Sequence, residues 1–160
     1  MIRLLSPEDV TICPLPVPNA DAVACSEVHV GKRMVPHALA GVILEAAVSC
    51  DGHVLLFLSD DIPSEDALRI HLLDAQLRLL DSAWLGWIYA TGTFRLLELV
   101  QPRTVRFRFF GDTDWSLQVL ETAALRVPVF SEPRGVHRRF GWSRHFRIEG
   151  DPQMEQTAAR

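Results

Sequence analysis

The longest apolar-rich stretch of the chain, residues 53–87, constrains the fold more than any other feature, because it could form either one helix or consecutive strands. As a helix it would cover residues 64–83, with Ser64 as the N-cap and many residues of good helix propensity. At about 100° per residue, however, its leucines divide into two stripes that polar side chains separate. Such a helix would have to bury two separate faces, which is unusual in a domain of this size.

Strands explain the same stretch more simply. Leu68, Ile70 and Leu72 alternate with polar residues, as they would on a half-buried strand. The alternating polar residues are Arg69 and His71, and we expect both side chains to lie on the surface. The pattern therefore favours strands over a helix.

Two turn signals support the strand interpretation. Asp51-Gly52 lies between the apolar runs 42–50 and 53–58, and Asp-Gly is a strong hairpin signal because both residues tolerate positive φ. Residues 74–76 supply a second turn, in which the Asp74 side chain can accept a hydrogen bond from the backbone two positions on. We expect the alternation to resume at Leu77.

Further alternating segments follow over residues 104–110 and 115–119, again with turn residues between them. Strands repeated at roughly 8–12-residue spacing predict a mainly β fold, a single-domain antiparallel β-sandwich or partly open barrel with little helix. An α+β fold, with one helix at 64–83 packed on an antiparallel sheet, is the alternative. We expect one globular domain over residues 1–149 and a flexible tail over residues 150–160.

Composition excludes several classes of protein. The chain has 160 residues, of which 48% are hydrophobic and 22% charged, which is typical of a globular domain. Its three cysteines are odd in number and lack the spacing of a disulfide framework, which indicates a reducing compartment. No run has the length of a membrane span, and the first residues do not form a signal peptide. We therefore expect a cytoplasmic protein without membrane contact.

Motifs for metal binding or catalysis are weak. Cys25 with His29, and Cys50 with His53, are close in sequence, but no paired CxxC motif accompanies them. No nucleophile elbow or phosphate-binding loop is present. We therefore predict no metal, no cofactor and no catalytic residue.

Acidic residues in the loops 60–66 and 112–114 could bind calcium or act as paired carboxylates. Aspartate is also common in turns, where its side chain bonds to nearby backbone, and this explanation is favoured. A small enzyme or ligand-binding β-barrel that uses these loops is the main alternative to a binding protein.

The most distinctive segment, residues 134–147, combines five arginines and two histidines with three aromatic residues. These residue types dominate the hot spots of protein–protein interfaces and also occur in nucleic-acid-binding surfaces. The simplest alternative is a final strand whose aromatic side chains pack inward while its arginines stay solvated. The candidate interaction residues are Arg134, His137, Arg138, Arg139, Trp142, Arg144 and His145, together with Asp60 and Asp61 of the first acidic loop.

The sequence as a whole indicates a non-enzymatic cytoplasmic binding protein that acts through a protein–protein surface. A net charge of −4 argues against nucleic acid as the partner, which leaves nucleic-acid binding through the basic segment as a second alternative. Small, acidic, mostly-β chains without catalytic motifs resemble immunity proteins in general type, which implies a toxin as one partner. A homodimer formed through an edge strand is also compatible with the pattern.

Overall fold

A computed structural model describes residues 1–62, 66–87, 92–125, 132–138 and 143–153. All regular structure in these ranges is β-strand. The strands are β1 (Ile2–Leu4), β2 (Val10–Pro14), β3 (Cys25–Val30), β4 (Arg33–Met34), β5 (Leu39–Ala40), β6 (Ile43–Cys50), β7 (His53–Ser59), β8 (Leu68–Leu73), β9 (Leu79–Leu85), β10 (Arg95–Val100), β11 (Thr104–Arg108), β12 (Trp115–Leu125), β13 (Val136–Arg138) and β14 (Ser143–Glu149).

The strands form three antiparallel sheets. The central sheet has six strands in the order β1-β6-β7-β8-β9-β13. The C-terminal sheet has the order β10-β11-β12-β14, and the N-terminal sheet has the order β2-β3-β4 with β5 also paired to β3. Over the described strands none of these sheets closes into a barrel. The predicted antiparallel β-sandwich is therefore confirmed.

The central sheet is covered on both faces, so the sandwich has three layers. Leu55 and Phe57 of β7 belong to the core shared with the C-terminal sheet. Leu56 and Leu58, which alternate with them, belong to a second core shared with the N-terminal sheet. A strand that is buried on both faces has a continuous apolar sequence, and this explains the uninterrupted run in β7.

The stretch that could have been one helix forms β8 and β9, so the helix alternative is wrong. Leu68 and Leu72 pack in the core beneath the C-terminal sheet, whereas Leu73 and Leu77 pack beneath the N-terminal sheet. The leucines that would form two stripes on a helix therefore pack on the two opposite faces of one sheet. The start of the predicted helix, residues 63–65, lies outside the described residues.

Both predicted turns are present. Asp51 and Gly52 have φ of 46° and 85°, and they connect β6 and β7 in the hairpin register. The Asp74 side chain accepts a hydrogen bond from the backbone N–H of Gln76 (2.9 Å), as the sequence predicts. The prediction that the strand resumes at Leu77 is wrong, because Leu77 has φ of 62° and β9 begins only at Leu79.

One side chain, that of Gln101, forms hydrogen bonds with edge strand β1 of the central sheet. The Gln101 amide accepts a hydrogen bond from the Ile2 N–H (3.0 Å) and donates one to the Ile2 carbonyl oxygen (2.8 Å). Gln101 follows β10, so this pair of bonds joins edge strand β1 to the C-terminal sheet. No helix in the described ranges is long and apolar enough to cross a membrane.

The segment after β14 is described as far as Gln153. Pro152 is buried, and the N–H of Gln153 donates to the Gly111 carbonyl oxygen (2.7 Å), which holds this segment against the β11–β12 connection. Residues 154–160 of the predicted tail lie outside the described residues.

Candidate functional site

One row of cross-strand neighbours connects the core to the surface of the central sheet. Leu58, Arg69, Trp84 and His137 are aligned in register across β7, β8, β9 and β13. Aligned residues of neighbouring antiparallel strands point to the same face. Leu58 is buried under the N-terminal sheet, whereas Trp84 is 37% exposed. The N-terminal sheet therefore covers only part of this face.

We call the part beyond the N-terminal sheet the open face, defined by Arg69, Leu79, Trp84 and His137. Trp84 lies at its centre, between a cation and an imidazole. The Arg69 guanidinium carbon is 5.3 Å from the centroid of the indole ring, and the His137 ring stacks on the indole at 3.9 Å with 18° between the planes. These two contacts hold the indole in one orientation.

The acidic loop positions Arg69. The Asp60 carboxylate accepts two hydrogen bonds from the Arg69 guanidinium, at 3.1 and 2.8 Å, and both side chains are largely buried. Asp66 accepts a hydrogen bond from the Asp60 N–H (2.9 Å), and burial raises the pKa of Asp66. Asp60 therefore neutralises Arg69 through a bidentate pair. Asp61, the other candidate in this loop, is exposed and has φ of 57°.

The expectation that His71 lies on the surface is wrong. Its side chain is buried, and its Nε2–H donates to the carbonyl oxygen of Ala40, at 2.9 Å. Ala40 belongs to β5, so this hydrogen bond joins the N-terminal sheet to the central sheet. The alternation of β8 was predicted correctly, but the second face of the strand is covered by a layer that the local pattern does not reveal.

A cleft of about 300 Å³ lies where the N-terminal sheet ends over the open face. Most of its wall is apolar, and three of its polar groups are a thiol, an imidazole and a hydroxyl, from Cys25, His71 and Ser82. This volume is at the lower end of the range for small-ligand sites. The lining residues are Val23, Cys25, Ala38, Leu39, Ala40, Arg69, His71, Leu79, Ser82, Ala83 and Trp84.

Two of the arginines predicted to interact with a partner are instead part of the protein interior. The side chain of Arg138 is 2% exposed and lies 2.8 Å from both Asp81 and Glu132. It also donates to the Phe146 carbonyl oxygen (2.6 Å). Arg144 lies 2.9 Å from Glu132. The alternative in which the arginines of this segment stay solvated is wrong for Arg138 and Arg144.

We call Asp81, Glu132, Arg138 and Arg144 the ion-pair seam, because they join the edges of two sheets. Asp81 lies on β9 and Arg138 on β13 of the central sheet, whereas Arg144 lies on β14 of the C-terminal sheet. The backbone N–H of His145 also donates to Asp81 (2.8 Å). Opposite charges in equal number allow these groups to be buried together.

The remaining candidates of the C-terminal segment are dispersed. Arg134 is exposed, and His145 contributes its backbone to the ion-pair seam. Arg139 and Trp142 lie outside the described residues. Of the predicted interaction residues, the structure brings His137 to the centre of the open face, and Asp60 supports that face through Arg69.

Sequence reasoning missed Trp84. Its position opposite Arg69 depends on the register between β8 and β9, which follows from a turn of five residues, 74–78, and from an irregularity in the pairing beside it. The Leu77 N–H donates to the Asp74 carbonyl oxygen (2.9 Å) inside this turn. The turn pairs Leu73 with Leu79, and a register shift directly after this pair places Arg69 opposite Trp84.

The outer face of the C-terminal sheet has a different character. Arg106 pairs with Glu98 (3.1 Å) and Asp114 (3.0 Å), and Arg108 pairs with Asp114 (2.7 Å). The Arg106 and Arg108 side chains are 42% and 50% exposed. The hydrogen bond from Arg108 lowers the pKa of Asp114. These are solvated ion pairs on a polar face.

A shallow depression of about 410 Å³ lies beside these pairs and includes Arg95 and Arg108. The two arginines are directly opposite each other on β10 and β11, an arrangement that is unfavourable for like charges. Asp114 neutralises Arg108, and Asp112 also lines the depression. The local charge is therefore balanced without an external anion.

The described residues contain no group of three or more histidine, cysteine, aspartate or glutamate side chains that could hold a metal ion. One carboxylate of each acidic loop is engaged by arginine, Asp60 by Arg69 and Asp114 by Arg106 and Arg108. Comparisons with family models, with curated proteins and with solved structures found no match.

Proposed function

We propose that this protein is a non-enzymatic binding protein and that its open face docks onto a protein partner. The observation that carries the proposal is the partly exposed indole of Trp84, fixed between Arg69 and His137. Tryptophan and arginine are enriched among residues that dominate binding energy, and a side chain already held in its bound rotamer loses less entropy on association.

Exposed apolar side chains around the indole support the same proposal. Val23 is 51% exposed and Leu79 is 41% exposed, and both border the cleft beside Trp84. An exposed apolar group rimmed by polar residues is typical of a protein interaction site. By contrast, Arg138 and Arg144 are occupied inside the protein, so they do not offer a basic surface for nucleic acid.

An immunity-type inhibitor of a toxin is the specific form of this function that best fits the size, the acidic balance and the all-β fold of the chain. The inhibitor would cover its target through the open face. Such a role needs no catalytic group, and one carboxylate of each acidic loop, Asp60 and Asp114, is used in an ion pair.

The test is affinity capture from the cells that express the protein, at native salt, with matched variants. Trp84→Ala removes the central ring, Leu79→Asp places a charge on the apolar rim, and Arg147→Ala removes an exposed arginine from the C-terminal sheet as a control. We expect one partner that the wild type and Arg147→Ala retain equally and that both open-face variants lose. Equal recovery by all four proteins, or no partner at all, would overturn the proposal.

A further inference from the structure

We infer that the cleft beside Trp84 is a socket for one neutral aromatic side chain, tyrosine or tryptophan, that the protein partner inserts. This inference rests on the proposed function, because it names the anchor group of the partner at the same face. Three properties of the cleft support it, namely its size, its charge and its rim.

The size of the cleft fits one large side chain. At about 300 Å³ it is at the lower limit of sites that accept a small ligand, so it has space for a single ring system. Its walls are mainly apolar, which favours burial of a ring over that of a flexible polar chain. The Ser82 hydroxyl lines the cleft and can bond to the hydroxyl of tyrosine or the N–H of tryptophan.

The charge in the cleft selects a neutral occupant. Arg69 is the charged residue among the lining groups, and Asp60 already neutralises it through two hydrogen bonds. A carboxylate or an ammonium group that entered the cleft would lose its hydration without gaining an unpaired counter-charge. A neutral ring avoids this loss and can contact the edge of the Trp84 indole.

The rim indicates a polypeptide as the source of the ring. Val23, Leu79 and Trp84 both line the cleft and remain partly exposed outside it. A free small aromatic molecule in the cleft would leave these rim side chains in water. A polypeptide that carries the ring covers them in the same event, and so removes more apolar surface from solvent.

The test uses the purified full chain and does not require the natural partner. Four probes are titrated and followed by ¹H–¹⁵N chemical shifts: p-cresol, benzylamine, benzoate, and the blocked pentapeptide Ala-Ala-Tyr-Ala-Ala. We expect saturable shifts around Ser82 and Ala40 with p-cresol and with the peptide. Benzylamine and benzoate should bind about tenfold more weakly, because each must lose the hydration of its charge. The peptide should bind at least about threefold more tightly than p-cresol because it also covers the rim.

Matched variants test whether the chemical-shift changes come from binding in the cleft. Ala38→Phe fills the cleft from its own wall and should abolish the shifts, whereas Ala20→Phe adds the same ring at an exposed turn and should leave them unchanged. Ser82→Leu is a second filling variant in case Ala38→Phe does not fold. Unsaturable shifts, equal binding of the charged probes, or persistence in both filling variants would overturn the socket. Peptide binding no tighter than p-cresol would instead assign the cleft to a free small molecule and overturn the partner as the source.

These outcomes are separable from the proposed function. If a captured partner depends on Trp84 but the probes do not bind, the open face stands and the socket fails. If the probes bind as expected but no partner is captured, the socket chemistry stands and the proposed function fails.

Discussion

Two regions of this protein use arginine–carboxylate pairs in opposite ways. On the β8–β9–β13 side of the central sheet, Arg69 and Arg138 are largely buried and contact their acids at 2.8 Å. On the outer face of the C-terminal sheet, Arg106 and Arg108 make pairs of nearly the same length, but about half of each side chain is in solvent. Burial, and not pair geometry, separates the two regions.

This difference shows which surface is available for binding. In the first region these arginines and their acids are buried inside the protein, and apolar side chains, Leu79 and the aromatic ring of Trp84, reach solvent. In the second region the solvent-facing groups are the charges themselves, which stay hydrated and bind little by themselves. A count of arginines along the sequence does not distinguish the buried charges of the first region from the solvated charges of the second.

Removal of Arg138 is the strongest test of the comparison. Arg138→Ala leaves Asp81 and Glu132 buried with less compensation, so we expect the free energy of unfolding to fall by about 3–5 kcal/mol. Urea unfolding followed by tryptophan fluorescence measures it. The control is Arg147→Ala on the C-terminal sheet, where the nearest acid is Glu149 at 3.9 Å and both side chains are exposed. A loss for Arg138→Ala no greater than for the control would contradict the buried role.

The contact between Arg69 and Trp84 should contribute less to the free energy of unfolding than the buried pairs of Arg138 do. A double-mutant cycle with Arg69→Ala and Trp84→Ala should give a coupling free energy of about 0.5–1 kcal/mol in the unfolding equilibrium, from the cation–π contact. Partner affinity should fall by about 2 kcal/mol in Trp84→Ala, since a central tryptophan of an interface typically contributes this much. Zero coupling would mean that Arg69 does not hold the indole.

Much of the fold could be predicted from local sequence. Leu68, Ile70 and Leu72 alternate as the strand requires, and Asp51-Gly52 makes the hairpin that its positive φ tolerance allows. These features depend on neighbours in the chain and on the period of a strand. The local pattern did not reveal the third layer, because Ala40 and His71 are 31 positions apart in sequence and meet only in the folded protein.

The candidate site was harder to predict for the same reason. His137 was identified from the composition of its segment, but its stacking partner Trp84 is 53 positions earlier in the chain, and sequence spacing does not show that contact. Arg138 and Arg144 were assigned to an interaction surface from the same composition. Their burial depends on Asp81, which lies on β9, and on Glu132, which lies six positions before Arg138.

The exposed pairs should contribute far less to stability. Arg106→Ala removes the contacts to Glu98 and Asp114, and we expect a loss of about 0–1 kcal/mol in the free energy of unfolding. Raising the salt concentration should shrink this loss further, because exposed charges are screened. The same urea experiment in low and high salt measures it. A loss comparable to that of Arg138→Ala would remove the contrast between the two regions.

The smallest expected effect is a difference in acid response between Asp66 and Asp114. The pKa of Asp114 is lowered by its hydrogen bond from Arg108, so its stabilising contribution is present above the unfolded pKa of about 3.9 and is lost as pH falls through the lower folded value. The pKa of Asp66 is raised by burial, so its charged form opposes folding at neutral pH. That opposition disappears as pH falls through the raised value, and stability should rise there.

Midpoints of urea unfolding, measured from pH 7 to pH 3, distinguish the effects of the two carboxylates on stability. Asp66→Asn keeps an acceptor for the Asp60 N–H and should remove the rise in stability on mild acidification. Asp114→Asn should leave that rise intact and flatten the loss at lower pH. The opposite assignment would mean that burial governs Asp114 and hydrogen bonding governs Asp66, and the distinction between the two regions would be reversed. The expected result ties the acid response to burial of the Asp66 carboxyl in the first region and to the hydrogen bond from Arg108 to Asp114 in the second.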